Sequence, residues 1–324
     1  MRRREFITLL GGAPAWPFVA HAQGTGVKRV AVLMSTSESD SEEVRSVAAF
    51  VSALGKTGWV SGRNLIIDYR WGEGSLHRYQ ENAKELVGLA PDAIFAKGAA
   101  VPAVAQATSA IPIVFAIFSD TLAERYVANF ARPNGNVTGF TSDEVALVGK
   151  RLELLKEISP ETTRALYIRG ARPDTEQLFL RSRESLSQAG LTITDGAANN
   201  DEDIEKAIDL FARQRGGIIT AFDAFNIVHR AKIIELAERY HLPAVYFYGL
   251  FVTNGGLVSY GINQAEQFAK AAGYVDRILR GEKLSNLPVQ YPTKFELLVN
   301  LKTAKALGVT VPAILRATAD EVIE

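Results

Sequence analysis

The sequence predicts an α/β protein with two similar lobes, each a doubly wound parallel sheet covered by helices. Short apolar runs typical of buried parallel strands alternate with segments of helical periodicity along most of the chain. A weak internal repeat is the second observation: Ile111–Phe115 resembles Leu242–Tyr246, and an Asn-Gly turn and a short strand follow each. Pro before a strand and Asn-Gly in a turn are common by themselves, so coincidence is the alternative to a true repeat.

The first half of the chain opens with an apolar run, Val30–Met34, that predicts a buried strand. A helix follows, with Ser41 as a candidate N-cap and Gly55 or Gly58 as a stop. Its apolar residues recur at helical spacing: Val44, Val47, Ala48, Val51 and Leu54. The later elements alternate strand and helix: Leu65–Tyr69, Leu76–Leu89, Ala93–Ala96, Val101–Thr108 and Ile113–Ile117.

The pattern then restarts with a helix that ends at Pro160. Its apolar positions are Val145, Val148, Leu152 and Leu155. The predicted strands of this half are Arg164–Ile168, Leu191–Thr194, Gly217–Thr220, Val245–Phe247 and Leu257–Tyr260. The predicted helices are Thr175–Ala189, Ile204–Phe211, Ile227–Tyr240 and Phe268–Leu279, of which the last is the most clearly amphipathic.

Residues 1–22 have the three-part pattern of a secretory signal peptide. Three arginines precede an apolar stretch, Ile7–Val19, which ends at the small-residue exit Ala20-His21-Ala22. The stretch is too short and too interrupted by Gly and Pro to span a bilayer, and the arginine pair resembles a twin-arginine signal. The alternative is an ordinary surface or membrane-anchoring helix. We expect a mature chain from Gln23 in the periplasm, where ATP and NAD(P)H are not available.

Composition excludes several classes of partner and chemistry. The chain of 324 residues is long enough for two domains, and 47% of its residues are hydrophobic. Removing residues 1–22 takes away three Arg and one Glu and leaves a net charge of −2, so no basic excess attracts nucleic acid. The absence of cysteine excludes disulfides, thiolate metal sites, cysteine nucleophiles and a lipid-modified N-terminal cysteine. We therefore expect neither nucleic acid binding nor a lipid anchor.

Catalytic signatures are absent from the sequence. It contains no phosphate-binding P-loop, no dinucleotide-binding Gly pattern, no His-Glu-x-x-His and no Gly-x-Ser-x-Gly. His77, His229 and His241 follow the leader, and each is interpreted as a surface or helix-end residue rather than a metal ligand. We predict no catalytic residues, no metal and no cofactor.

Small polar residues follow the predicted strands, where an open α/β sheet binds its ligands. The candidate binding residues are Ser35, Thr36, Gly98, Ala99, Ala100, Ser119, Asp120 and Thr141 from the first half, and Asp174, Asp223, Asn226 and Tyr248 from the second. Gly98, Ala99 and Ala100 have no long side chains, so the backbone N–H groups at the start of the following helix remain accessible to a ligand carboxylate. Asp223 could accept a hydrogen bond from a ligand ammonium. Tyr246, Phe247 and Tyr248 could form aromatic walls of the binding site. A helix cap or a turn is the alternative role for each residue taken alone.

Several motifs are similar, along nearly the whole chain, to ABC-transporter substrate-binding proteins of the tryptophan/tyrosine-type branch. They are Arg2–Phe6 with its leader, Gly58–Asn64, Tyr69–Trp71, Ile111–Phe115, Arg132–Phe140, Leu154–Glu157, Ala272–Leu279 and Leu287–Glu296. The chain departs from this family at Lys97–Ala100, where relatives more often have Ser/Thr-Gly-Thr/Ser, and at Thr121, where a Pro usually follows the Asp.

The resemblance implies a periplasmic binding fold of the first class, in which three hinge strands join two lobes. We expect residues 1–22 to be the signal peptide, residues 23–140 and 249–290 to form the first lobe, and residues 141–248 and 291–324 to form the second. The expected hinge crossings lie near Phe140, Tyr248 and Gln290.

The function implied by the resemblance is that of a periplasmic solute-binding protein of an ABC importer. Its expected partners are a small amino acid-like or aromatic carboxylate ligand, trapped between the lobes, and an ABC permease in the inner membrane. We expect a monomer without chemistry of its own. The alternatives are a periplasmic hydrolase that uses Asp120 or Asp223, and a ligand sensor on the same fold.

We predict that the protein is exported and cleaved before Gln23, because the small-residue pattern follows the apolar run. Mass spectrometry of the periplasmic protein should find a chain that starts near Gln23. An intact chain from Met1 would contradict the predicted leader. The combined changes Arg3→Lys and Arg4→Lys should block export if the twin-arginine route is used.

Overall fold

The computed structural model describes residues 26–188 and 190–324. It contains two β-sheets with related strand orders. The predicted leader, residues 1–22, and the predicted cleavage before Gln23 lie outside the described residues. Within the described ranges, no helix is both long enough and apolar enough to cross a bilayer.

The strands and helices alternate as the sequence predicts. The strands are β1 (Lys28–Met34), β2 (Leu65–Trp71), β3 (Ala93–Lys97), β4 (Ile113–Phe118), β5 (Val137–Thr141), β6 (Arg164–Gly170), β7 (Thr192–Ala198), β8 (Gly217–Thr220), β9 (Ala244–Tyr246), β10 (Val258–Ile262), β11 (Phe295–Asn300) and β12 (Glu321–Ile323). The helices are α1 (Ser41–Lys56), α2 (Leu76–Gly88), α3 (Val101–Ala107), α4 (Asp120–Ala123), α5 (Glu144–Ile158), α6 (Pro173–Gln188), α7 (Asp201–Ala212), α8 (Ala224–Val228), α9 (Arg230–Arg239), α10 (Gly249–Thr253), α11 (Gln264–Leu279), α12 (Leu301–Leu307) and α13 (Ala313–Thr318). Single turns of 3₁₀ helix lie at Gly98–Ala100 and Leu284–Asn286.

The two sheets repeat one topology. The first sheet has the order β2-β1-β3-β4-β5, and its strands are all parallel. The second sheet contains β7-β6-β8-β9-β10 in the equivalent parallel order, and it is extended by β11, which runs antiparallel to β10, and by β12. The predicted fold class, two similar α/β lobes, is confirmed.

Helices cover both faces of the first sheet. Alternate residues of β1 point to opposite faces, as the period of a strand requires. Val32 packs in a core with residues of α1 and α11, whereas Leu33 packs in a second core with residues of α2 and α3. Burial on both faces explains why β1, β3 and β4 are continuous apolar runs in the sequence.

Within residues 26–188 and 190–324, the chain crosses between the lobes at three places. The first crossing follows β5, because α5 packs in the core of the second lobe. The second lies at Asn263, between β10 of the second sheet and α11, which packs on α1 in the first lobe. The third follows Gln290, whose backbone exchanges hydrogen bonds of 2.9 Å with Gly139 and Thr141, and leads into β11.

The second crossing differs from the prediction, which placed it near Tyr248 and assigned residues 249–290 to the first lobe. The Asn254-Gly255 turn returns the chain to the second sheet, where Val258 pairs with Val245 of β9. Residues 249–262 therefore lie with the second lobe. The N-cap of α1 also differs from the prediction, which named Ser41. The N-cap is Asp40, whose carboxylate accepts a hydrogen bond of 3.1 Å from the Glu42 N–H.

A buried ion pair anchors two crossings to the second lobe. Glu144, at the start of α5, accepts from Arg151 Nη1 at 2.7 Å, and both side chains are almost completely buried. Arg151 Nε also donates to the Tyr260 carbonyl of β10 at 3.0 Å, and Glu144 accepts from the Phe222 N–H at 3.1 Å. The pair therefore connects α5 to β10 and to the loop after β8.

Glu144→Ala should lower the free energy of unfolding by about 3–5 kcal/mol, because the Arg151 guanidinium would remain buried without its counter-charge. Chemical unfolding monitored by circular dichroism measures this loss. Glu153→Ala is the matched control on the same helix, since Glu153 is 62% exposed and pairs with Lys150. The control should change stability by less than about 1 kcal/mol. Equal losses in the two variants would contradict a structural role for the buried pair.

Candidate functional site

A cleft lies between the two lobes at the carboxyl ends of the parallel strands. It is narrow in this structure, and about 60 Å³ of it is open to the centre of a water-sized sphere. Its polar lining residues are Ser35, Lys97, Ser119, Arg172, Asp174, Thr175 and Asp223. Its apolar and glycine lining residues are Gly98, Ala99, Pro102, Ile117, Phe118, Leu122, Leu178, Phe222, Ala224 and Ile227. Both lobes contribute, because parallel strands direct all their carboxyl ends to one edge of each sheet.

The structure brings half of the candidate residues together in this cleft. They are Ser35, Gly98, Ala99, Ser119, Asp174 and Asp223. The other candidates do not line it: Thr36, Ala100, Asp120, Thr141, Asn226 and Tyr248.

Local packing explains the positions of these other candidates. Ala100 is buried in the core beside α3, and the Asn226 amide donates to the carbonyls of Ile168 and Ala221. Thr141 takes part in the first hinge crossing, where its N–H donates to Gln290. Thr36 Oγ1 is buried without a partner among the described residues.

Asp120 and Tyr248 also lie away from the lining. Burial raises the pKa of Asp120, the first residue of α4, above its ordinary value. The Tyr248 hydroxyl faces Glu42 of the first lobe at 3.5 Å. Tyr246, Phe247 and Tyr248 are all buried in the second lobe, so the predicted aromatic walls are formed instead by Phe118 and Phe222.

The backbone around Gly98 comes close to its neighbours at the first-lobe wall. Gly98 has φ +50°, and a Cβ there would lie 3.3 Å from the Ile117 carbonyl oxygen and 3.5 Å from Ser35 Oγ. Ile117 itself has φ +55°, at the point where the pairing of β4 with β5 shifts register. A β-branched residue rarely adopts this conformation, so the wall of the cleft stores backbone strain.

Arg172 and two carboxylates form the charged part of the second-lobe wall. Arg172 Nη2 donates to Asp223 Oδ1 at 2.8 Å, and Arg172 Nε donates to Asp174 Oδ1 at 3.2 Å. Burial disfavours the charge of Arg172, but the charges of Asp223 and Asp174 outweigh that effect and raise the pKa of Arg172 above its ordinary value. The guanidinium is thus held in one orientation at the cleft.

Asp223 differs from its predicted role as the acceptor for a ligand ammonium. Its side chain has no exposed surface, and its oxygens accept from the N–H groups of Gly170 and Phe225 as well as from Arg172. It is therefore the N-cap of α8 and the group that orients Arg172. The accessible carboxylate of the cluster is Asp174, whose side chain is 36% exposed.

A second ion pair lies at the first-lobe wall. Lys97, the last residue of β3, contacts Glu43 of α1, and both side chains are almost completely buried. The ring of Phe268 lies 6.0 Å from the Lys97 ammonium. Lys97 and Arg172 also line the cleft, although neither is among the candidates predicted from the sequence. For Lys97, the available signal was a charged residue directly after the predicted apolar strand Ala93–Ala96.

Polar contacts join the lobes around the cleft. Arg181 of α6 lies 3.3 Å from Glu124, which follows α4, and Arg230 of α9 lies 3.8 Å from Asp40. Arg125 also contacts Gln177. These contacts connect the first lobe to the second lobe in this structure. Within the described ranges, no three His, Asp or Glu residues are arranged to hold a metal ion.

The chain matches a family model and a curated relative. Residues 27–323 match the family model described as ABC transporter substrate binding protein. A curated relative, the tyrosine-binding protein of Clostridioides difficile strain R20291, is 23% identical over 260 residues, which are 80% of this chain and 75% of the relative.

Solved structures share the fold. An ABC domain in complex with L-Trp from Streptococcus pneumonia aligns with a TM-score of 0.83 and 21% identity, over 91% of this chain and 99% of that chain. A conserved domain protein from Vibrio cholerae gives a TM-score of 0.83 and 24% identity over the same shares. The ligand-free, open structure of a substrate binding protein with adhesive properties from Clostridium difficile aligns with a TM-score of 0.69 and 22% identity, over 92% of this chain and 99% of that chain.

Proposed function

The chain belongs to the ABC transporter substrate-binding protein family, and from this premise we propose that it traps a small amino acid-like or aromatic carboxylate solute between its lobes. The solute would then pass to an ABC permease in the inner membrane. The periplasm is the proposed location, because the leader pattern of residues 1–22 favours export. We propose a monomer as the working form.

The observation that carries the ligand class is the pair formed by Arg172 and Asp174. An α-amino acid has a carboxylate and an ammonium a few ångströms apart, and these two side chains present the complementary charges side by side. The Arg172 side chain is 28% exposed, and its guanidinium is paired with the buried carboxylate of Asp223. Because this pairing already restricts the Arg172 side chain, little of its conformational entropy remains to be lost when a ligand binds. Gly98 and Ala99 lie on the opposite wall, where the lack of a long side chain leaves room for the ligand.

Apolar residues of both lobes suit the side chain of such a ligand. Pro102, Phe118 and Leu122 lie on the first-lobe wall, and Leu178 and Phe222 lie on the second. Small-molecule sites commonly combine apolar walls with a few fixed polar groups. The descriptions of two relatives, a tyrosine-binding protein and a complex with L-Trp, support the amino acid class.

The contacts between the lobes support a trapping mechanism. Because three chain crossings join the lobes within the described part of the chain, relative motion of the lobes is the default expectation. A ligand that contacts Arg172 in one lobe and Gly98 in the other favours the closed state by its differential affinity for that state. The family is one of substrate-binding proteins rather than of enzymes, so the proposal assigns no chemical step to the cleft.

We expect one or more compounds from a panel of amino acids and aromatic acids to bind the purified protein with one-to-one stoichiometry. A ligand at 100 times its Kd stabilises the folded state by about 2.7 kcal/mol, so a thermal-shift screen finds it and calorimetry measures its Kd. Asp174→Asn should then weaken the binding of an amino acid about 10- to 100-fold, because a charge-assisted hydrogen bond to the ammonium is lost.

The matched desamino acid, which lacks only the ammonium, provides the internal comparison. Asp174→Asn should weaken its binding much less, because Asp223 still holds the Arg172 guanidinium that binds the carboxylate. Asp209→Asn, at a half-exposed carboxylate on α7, is the control variant and should change neither Kd. A panel in which no compound binds would contradict the proposed function, as would turnover of a bound compound. An equal loss for both ligands would remove Asp174 from the ammonium site.

A further inference from the structure

The first-lobe wall of the cleft includes Lys97, one partner of a buried ion pair to which no function has so far been assigned. Lys97 lines the cleft, its side chain is 2% exposed, and its ammonium contacts Glu43 Oε1. Glu43 has no exposed side-chain surface. A buried ion pair by itself seldom adds stability, because the loss of hydration offsets the attraction of the charges. Stability alone therefore does not account for a pair at this position.

The hydrogen bonds of the pair are incomplete. The second carboxylate oxygen, Glu43 Oε2, is buried and has no partner among the described residues. A lysine ammonium can donate several hydrogen bonds, and the one contact described for it is with Glu43. A buried polar atom without a partner is costly. A group that both donates and accepts would satisfy the carboxylate oxygen and the ammonium together.

The pair also lies on the opposite lobe from the proposed binding group for the amino acid head. Arg172 and Asp174 belong to the second lobe, whereas Lys97 and Glu43 belong to the first. Apolar side chains, among them Phe118 and Phe222, line the cleft together with Lys97, whereas Glu43 is buried directly against the Lys97 ammonium. The cleft therefore has a charged group from each lobe and apolar walls.

We propose that Lys97 and Glu43 form a second polar subsite, which binds a neutral hydroxyl or carboxamide group at the far end of the ligand. This inference rests on the proposed function, and it narrows the ligand class to α-amino acids whose side chains end in such a group. A neutral group fits because the charges of Lys97 and Glu43 cancel, so a ligand carboxylate or ammonium would add an uncompensated buried charge. Each lobe then holds one end of the ligand, and the ligand must contact both ends to stabilise the closed state.

Matched pairs of amino acids test the subsite by calorimetry on the full mature chain. Tyrosine is compared with phenylalanine, and glutamine with norleucine, so that each pair differs chiefly in the distal polar group. The wild-type protein should bind one polar-ended member at least about 100-fold more tightly than its apolar counterpart, because a site built around a hydroxyl or amide strongly rejects a ligand that lacks it.

The double variant Lys97→Met/Glu43→Leu removes both charges together, since the loss of one partner alone would leave a buried charge and could prevent folding. Circular dichroism confirms that it folds. Its discrimination within the same pair of ligands should fall to less than about tenfold. The control Lys150→Gln/Glu153→Gln, at an exposed pair on α5, should keep the wild-type ratio.

Several results would overturn the subsite. Equal affinity of the wild-type protein for both members of each pair would contradict the subsite. The proposed function would then remain intact, since amino acids would still bind. Unchanged discrimination in the double variant would place the distal group elsewhere and assign Lys97 and Glu43 a structural role only. The absence of binding by every amino acid tested would contradict the proposed function and the subsite together.

Discussion

Parallel strand pairing is the constraint from which the rest of this structure follows. Each parallel connection must return over the sheet, so the five parallel strands that the two lobes share in order all end at one edge of each sheet. The loops after β1, β3 and β4 in one lobe, and after β6 and β8 in the other, therefore face a common cleft. The repeated order of the two sheets makes the facing edges equivalent. The site is thus a consequence of topology, and its chemistry depends on which side chains these loops carry.

Much of the fold could be predicted from the sequence because the apolar runs and the helical periodicity are local signals. The lobe boundary was harder, since an apolar run such as Val258–Ile262 does not reveal which sheet it joins. The internal repeat contained that information: β5 closes the parallel unit of the first sheet, and β10 closes the equivalent unit of the second. A boundary placed before β10 separates this last strand from its unit.

The position of the cleft was predictable, whereas the contacts of its side chains were not. Asp223 follows a strand as expected, but its carboxylate is occupied by two backbone N–H groups and Arg172, contacts that depend on how distant loops pack. Lys97 is paired with a residue of α1 that is remote in sequence. Sequence spacing does not reveal such partners. Within each lobe, a carboxylate and a cation hold each other in place beside the cleft.

The central claim is that the lobes close around a ligand that contacts both of them. Small-angle X-ray scattering of the mature protein, without ligand and with a saturating amino acid identified by calorimetry, tests it most directly. A ligand that favours the closed state by its contacts with both lobes predicts a smaller radius of gyration in the bound sample. An unchanged radius at saturation would contradict trapping between the lobes.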